Sequence, residues 1–416
     1  MHMDPPRAAP ETDYRLTITL LSALYFIFGF ITCLNDILVP HLKVLFALTY
    51  ARAALIQFSF FLAYFIMSVP SGRLVDRFGY PKSMAGGLFT AALGCCLFYP
   101  AAGLGSYPLF LFALFILASG ITLLQVAANP YVSVLGAPET ASSRLTLTQG
   151  FNSLGTTLAP LFGSLVILAA TGQKLTAHPR PEPGAVQVPY LGLAVLLLGL
   201  ATTTALVRLP MGAPHGKPGA RGGMFSLLRA HPTLALGAIG IFTYVGAEVA
   251  IGSFLVNYLS QPATGGIPLA TAARFVAFYW GGAMVGRFLG SAVMRVVPPR
   301  QVLVFNALAA MILVVTSITT GGLVSMWTIL AVGFFNSIMF PTIFTLAIQG
   351  LGDKMGQASG ILCMAIVGGA VMPVLEGLAA DAFGLRTAFL LPVACYGYIA
   401  FYGGRGSVMR KGTPAG

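Results

Sequence analysis

The chain has 416 residues, of which 57% are hydrophobic and 8% charged, with a formal net charge of +12. A soluble domain carries roughly a quarter charged residues and avoids large apolar surfaces, so a soluble enzyme and a soluble nucleic-acid binder are both excluded. The positive balance is read instead as basic residues flanking membrane spans and meeting anionic lipid.

The N-terminal tail, 1–14, has no cleavable apolar core, so the first apolar run is retained as a span. Spans are predicted at 15–38, 52–71, 83–101, 107–136, 143–170 and 188–208. A hydrophilic Gly/Pro-rich linker covers 209–231. Further spans follow at 232–260, 270–295, 301–319, 322–348, 357–380 and 386–404, with a tail over 405–416. At roughly 20 residues per span, the length is used up and no catalytic domain fits outside the bilayer. The predicted fold is an all-α integral membrane protein of twelve transmembrane helices, arranged as two pseudo-symmetric six-helix bundles over 15–208 and 232–404. An even count puts both tails on one side with the linker, and that side holds 17 of the 23 Lys and Arg residues; Lys43, Arg52, Lys174, Arg180, Arg274 and Arg386 lie opposite. The basic side faces the cytoplasm, which predicts a multi-pass protein of a bacterial inner membrane. The five cysteines sit in apolar runs without disulfide or zinc spacing. The five histidines sit in tails and loops, and no Gly-rich Lys-Ser/Thr loop for ATP is present. No enzyme, no cofactor and no primary pump is expected.

An ionisable or strongly polar residue inside the bilayer is by default a functional hypothesis. Span 1 carries Asn35 and Asp36 near its outer end. Asp36 is either an interfacial cap or a carboxylate that binds H+ or Na+, a sodium ion being served by oxygen ligands from Asp36, Asn35 and Gln125. Span 2 holds Gln57. Gln125 and Asn129 of span 4 are four apart, and Gln149 and Asn152 of span 5 three apart, so each pair shares a helix face. Span 7 places Tyr244 one turn before Glu248 and ends near Asn257, span 8 holds Trp280, and span 10 holds Asn336. Amides offer both donors and acceptors and suit a hydroxyl-rich solute, although buried amides also join helices. A purely structural Glu248 would need a cationic partner, and the pattern places no Lys or Arg deep in a span, so Glu248 is expected to serve the coupling ion or the solute. The halves also repeat at an offset of 211: Gln125 and Pro130 map onto Asn336 and Pro341, and Asp36 maps one residue short of Glu248. Gly72-Arg73 maps near Gly286-Arg287, where the approach to the connection after span 8 begins. Such parallel repeats are a common construction of secondary carriers, with the site between the halves.

Gly72-Arg73-Leu74-Val75-Asp76-Arg77-Phe78-Gly79-Tyr80-Pro81-Lys82 resembles the loop between helices 2 and 3 that marks the major facilitator superfamily. The resemblance implies a conformational latch made by Gly72, Arg73, Asp76 and Arg77. Cys33-Leu34-Asn35-Asp36-Ile37-Leu38-Val39-Pro40, Ala127-Ala128-Asn129-Pro130-Tyr131, Gln149-Gly150-Phe151-Asn152-Ser153 and Phe340-Pro341-Thr342-Ile343-Phe344 are similar to one branch, the fucose–galactose–glucose cation symporter family. That resemblance implies alternating access, Asp36 as a coupling acid, and Gln149 and Asn152 as sugar contacts. The fucose carriers have a second acid on helix 4 where this chain has Gln125, and a glutamine where it has Glu248. Both departures, with Phe254-Leu255-Val256-Asn257-Tyr258, look like the glucose/galactose carriers. The implied function is import of a hexose with H+ or Na+ by a lipid-embedded monomer. N-acetylglucosamine or fucose are the alternative solutes, and drug efflux fits the amide set less well.

Overall fold

The computed structural model describes residues 11–45, 50–171, 187–207 and 223–408; the side chains of 11–15, 34–45, 50–54, 160–171 and 270 fall outside that description. It contains α1 (Glu11–Leu45), α2 (Tyr50–Phe78), α3 (Tyr80–Gly103), α4 (Tyr107–Val134), α5 (Ala141–Thr171) and α6 (Gln187–Leu206). The second half contains α7 (Pro232–Ser260), α8 (Leu269–Val293), α9 (Pro299–Thr319) and α10 (Gly322–Asn336, resuming as Met339–Ile348). It ends with α11 (Met355–Met364, resuming as Gly368–Phe383) and α12 (Leu385–Ala388, resuming as Leu390–Gly404). No strand occurs among the described residues. Among the described residues, ten helical stretches are long and apolar enough to cross a membrane, and α5 and α8 are the remaining long helices there, consistent with twelve. Most of the linker and parts of both tails lie outside the described residues.

Several helices outrun the predicted spans, α2 reaching Phe78, and two differences have a local reason. The first helix continues past Pro40 to Leu45, because apolar residues resume beyond the Asn-Asp pair and a proline within a membrane helix is tolerated. Span 10 is interrupted at Ser337–Ile338. Pro341 has no N–H to give and its ring crowds the carbonyl four residues back, which is that of Ser337.

Exposed large side chains such as Val195 and Leu198 on α6, Phe305 and Ile312 on α9, and Leu375 and Leu378 on α11 form an apolar outer surface suited to lipid, where each helix satisfies its own backbone. Inside, the two halves pack alike. In the first, α1 packs on α5, α2 on α4, and α3 on both α4 and α6. In the second, α7 packs on α11, α8 on α10, and α9 on both α10 and α12. Adding six to each helix of the first set produces the second; the extra packing of α7 on α12 and α10 has no counterpart of like extent at α1 among the described residues. Between the halves, α2 meets α11 and α5 meets α8, with α4–α11 and α5–α10 contacts beside them. These pairs too exchange under the same operation.

Candidate functional site

The contacts between halves gather at the basic face. Ser143 Oγ donates to the Ser291 carbonyl at 2.6 Å, and Ser291 Oγ returns a bond to the Ser143 carbonyl at 2.9 Å. Ser142 and Thr345 share a hydroxyl contact at 2.6 Å. On the α2–α11 side the backbones nearly touch: a Cβ on Gly72 would lie 2.6 Å from the Gly356 carbonyl oxygen, so no larger residue fits there without displacing a helix. Asp76 accepts hydrogen bonds from the backbone amides of Gly356 and Gln357 and from the Gln357 side chain. These amides belong to the first turn of α11, where N–H groups lack intrahelical acceptors and the helix dipole favours a negative charge. Of the predicted latch, Gly72 and Asp76 therefore make the junction. Arg73 and Arg77 are exposed, and the Arg77 guanidinium lies 5.3 Å from the centroid of the Phe78 ring.

On the opposite face the halves separate around a cavity of about 690 Å³, lined by Thr32, Gln57, Phe61, Ser253, Trp280 and Pro373 among others. That volume lies in the range of small-ligand pockets. Gln57 and Trp280 of the predicted solute set line it. The cavity reaches α7 at Val249, the residue after Glu248.

Next to this cavity in the first half, the predicted amides collect around Tyr25. The Tyr25 hydroxyl donates to Asn129 Oδ1, and Asn152 Nδ2 donates to the Tyr25 carbonyl at 3.1 Å. Gln125 is buried beside Tyr25 and Phe28. Gln149 is buried as well, and among the described residues Gln125 Oε1 and Gln149 Nε2 have no hydrogen-bond partner, which leaves capacity for a ligand in a layer that otherwise ties α1 to α4 and α5. Asn257 is exposed at the outer end of α7 and does not line the cavity. Asn35 and Asp36 lie on α1, and the coupling and sodium readings made for them concern side chains outside the described residues.

The second half corrects the premise used for Glu248, that no cation lies deep in a span. A cationic partner does lie within a span: Arg287 Nη2 is 3.8 Å from Glu248 Oε1, the two side chains being 14% and 12% exposed. Arg287 falls inside α8, two turns before its end, rather than at the margin of a loop. Its position relative to α7 follows from packing, which a hydropathy profile does not report. The Tyr244 hydroxyl faces Glu248 from one turn away. Asn336 Nδ2 donates to the Tyr279 hydroxyl at 2.8 Å, and that hydroxyl donates to the Glu248 carbonyl at 3.2 Å. The two prolines explain two further bonds. Pro130 leaves the Val126 carbonyl without its helical donor, and Ser359 of the other half supplies one at 2.8 Å. Pro341 leaves the Ser337 carbonyl free, and Arg287 Nε supplies one at 3.3 Å.

Two six-helix bundles related by a repeat, sealed at one face and parted around a polar-edged cavity at the other, define an alternating-access secondary transporter. A family model described as Major Facilitator Superfamily matches residues 21–366, and the chain belongs to that superfamily. It is 54% identical over 397 residues to a glucose/galactose transporter of Brucella abortus, with 95% of each chain covered. It is 48% identical to a putative glucose/galactose transporter of Helicobacter pylori (95% and 98% covered). The L-fucose-proton symporter of Escherichia coli is 35% identical, with 95% and 94% covered. Among solved structures, the transporter FucP in the outward conformation matches with a TM-score of 0.87 at 33% identity, covering 95% of this chain and 100% of that one. The expected family, fold and non-enzymatic character all agree with these relatives.

Proposed function

We propose that this chain imports a hexose of the glucose/galactose type by alternating access, driven by an inward cation gradient across a bacterial inner membrane. The basic face is cytoplasmic in this reading and both tails lie inside, so the structure is outward-facing. The observation that carries the proposal is the cavity between the halves bordered by Gln57 and Trp280, with Glu248 and Arg287 3.8 Å apart beside it. An indole offers a flat apolar surface to the C–H face of a sugar ring, and an amide pairs with its hydroxyls.

Gln57, Trp280, Gln125, Gln149 and Asn152 contact the sugar in this reading, while Asn129 and Asn336 shape its walls. Asp36 and Glu248 are the carboxylates available to a coupling cation, and neutralising them lowers the cost of closing the cavity over charge. The relatives named as proton symporters favour H+ as that cation. The carrier acts as a monomer in lipid.

Counterflow in proteoliposomes with a sugar panel, imposing pH and sodium gradients separately, tests the reading. Glucose and galactose are expected to exchange and to accumulate with one gradient. The many apolar wall residues, Phe60 and Phe61 among them, are what a carrier of lipophilic solutes would present. Exchange of a lipophilic cation without any hexose would favour that alternative. Asp36→Asn is expected to abolish accumulation while counterflow persists; full gradient-driven uptake by this variant would remove Asp36 from the coupling role.

A further inference from the structure

Arg287 has a position that no other described cation shares. It belongs to the second half, where it pairs with Glu248 at 3.8 Å and donates to the Ser337 carbonyl at 3.3 Å. Its Nη1 crosses to the first half, donating to Ser153 Oγ and to the Gln149 carbonyl at 3.5 Å. One guanidinium thus joins α7, α10 and α5. It also sits one turn deeper than the reciprocal Ser143–Ser291 bonds, on the same α5–α8 junction. The next residue, Phe288, packs edge-on against Phe151 of α5 at 5.7 Å.

From this geometry we infer that Arg287 is the positioning residue through which charge on Glu248 keeps the basic face shut. The inference rests on the transport reading above and adds a device to it. With the face shut, the guanidinium is largely withdrawn from water, and among the described residues its one charged partner is Glu248. The Ser153, Gln149 and Ser337 oxygens are neutral acceptors and do not balance a buried charge. When the face opens, water reaches Arg287 and the need for Glu248 falls. The pair therefore stabilises the shut state more than the open one. A cation that neutralises Glu248 removes that difference and releases the seal. The titratable or charged groups facing Glu248 are Arg287 and Tyr279 from α8, Tyr396 from α12 and Tyr244 from its own helix. Of these, Arg287 alone reaches across to the first half. Glu248 and Ser153 act on the same guanidinium from opposite halves, so their effects should not add.

The test reads which face is open without any sugar, so its failure is separable from a wrong substrate assignment. Ser253 is an exposed residue of the cavity wall. In cells, a cysteine there (S253C) is alkylated by a membrane-impermeant maleimide, with the native-cysteine chain as the subtraction and surface biotinylation for the amount of protein. Glu248→Gln and Ser153→Ala are each expected to slow labelling about threefold or more, the double variant no more than the stronger single. Ser153→Thr, which keeps the hydroxyl, should restore the parent rate. Glu376→Gln, a buried acid on α11 with no ion pair among the described residues, should leave the rate unchanged. Unchanged or faster labelling in Ser153→Ala, or multiplying effects in the double variant, would overturn the inference. Because Ser153→Ala leaves the ion pair intact, it decides the matter even where Glu248→Gln fails to reach the membrane.

Discussion

The two junctions at the basic face occupy equivalent places in the repeat and are built from different chemistry. Gly72-Arg73 of α2 and Gly286-Arg287 of α8 lie at matching distances from the ends of their helices, one facing α11 and the other α5. In the α2–α11 junction the glycine does the packing, Arg73 is exposed, and the polar contact is a carboxylate on a helix N-terminus. In the α5–α8 junction the arginine turns inward and is shared between the halves. The first depends on close backbone approach and on the Asp76 carboxylate held by a helix N-terminus, remote from Glu248. The second depends on the Glu248–Arg287 pair, which a cation at Glu248 would alter under the proposal above. A repeat thus supplies two junctions from one plan, and in the proposal above a cation at Glu248 acts on the second of them.

The largest effect is expected from Arg287→Gln. It strands Glu248 as an unpaired buried charge, a change that costs about 3–5 kcal/mol in other proteins. Gradient-driven uptake should fall about a hundredfold or more at equal surface expression; retention of a tenth of parental uptake would show that the pair is dispensable. Gly356→Val comes next, because any Cβ there runs into the Asp76 carboxylate. Overpacking of about 1–3 kcal/mol should slow external labelling of S253C about tenfold, and parental labelling would mean the α2–α11 backbones have room to spare. Asp76→Asn keeps an acceptor but loses the charge facing the helix dipole, worth about 0.3–1 kcal/mol. A threefold slowing is expected in the same assay. The smallest effect belongs to Arg73→Gln, which alters an exposed residue and should move uptake by less than about twofold. If Arg73→Gln matched Arg287→Gln, the contrast between the junctions would collapse.

Much of the architecture was legible in the sequence because lipid imposes a simple rule. A helix in hydrocarbon must be apolar for about 20 residues, and Lys and Arg collect on one side, so span positions and the even count follow from pattern alone. The offset linking Pro130 to Pro341 was legible too, and it corresponds to a repeat of most of the helix pairs. Hydropathy gives depth but not the direction in which a side chain turns about its helix. Gln57 and Trp280 were identified from type and depth and do line the cavity, whereas Asn257, chosen on the same grounds, does not. Arg287 was missed because a Gly-Arg pair near the end of an apolar run reads as a loop margin with a snorkelling side chain. A signal was present: Pro341 frees the Ser337 carbonyl, and a freed carbonyl in a bilayer needs a donor.

The most direct test of the central claim is to watch the ion move when the sugar does. Purified protein in proteoliposomes, with no gradient imposed, is given galactose or glucose outside while an internal pH dye and, separately, a sodium dye report the lumen. Sugar addition should drive entry of one of the two ions in the parent chain, and Arg287→Gln should abolish that entry. Sugar uptake at parental rate with no movement of either ion would contradict a cation-coupled carrier.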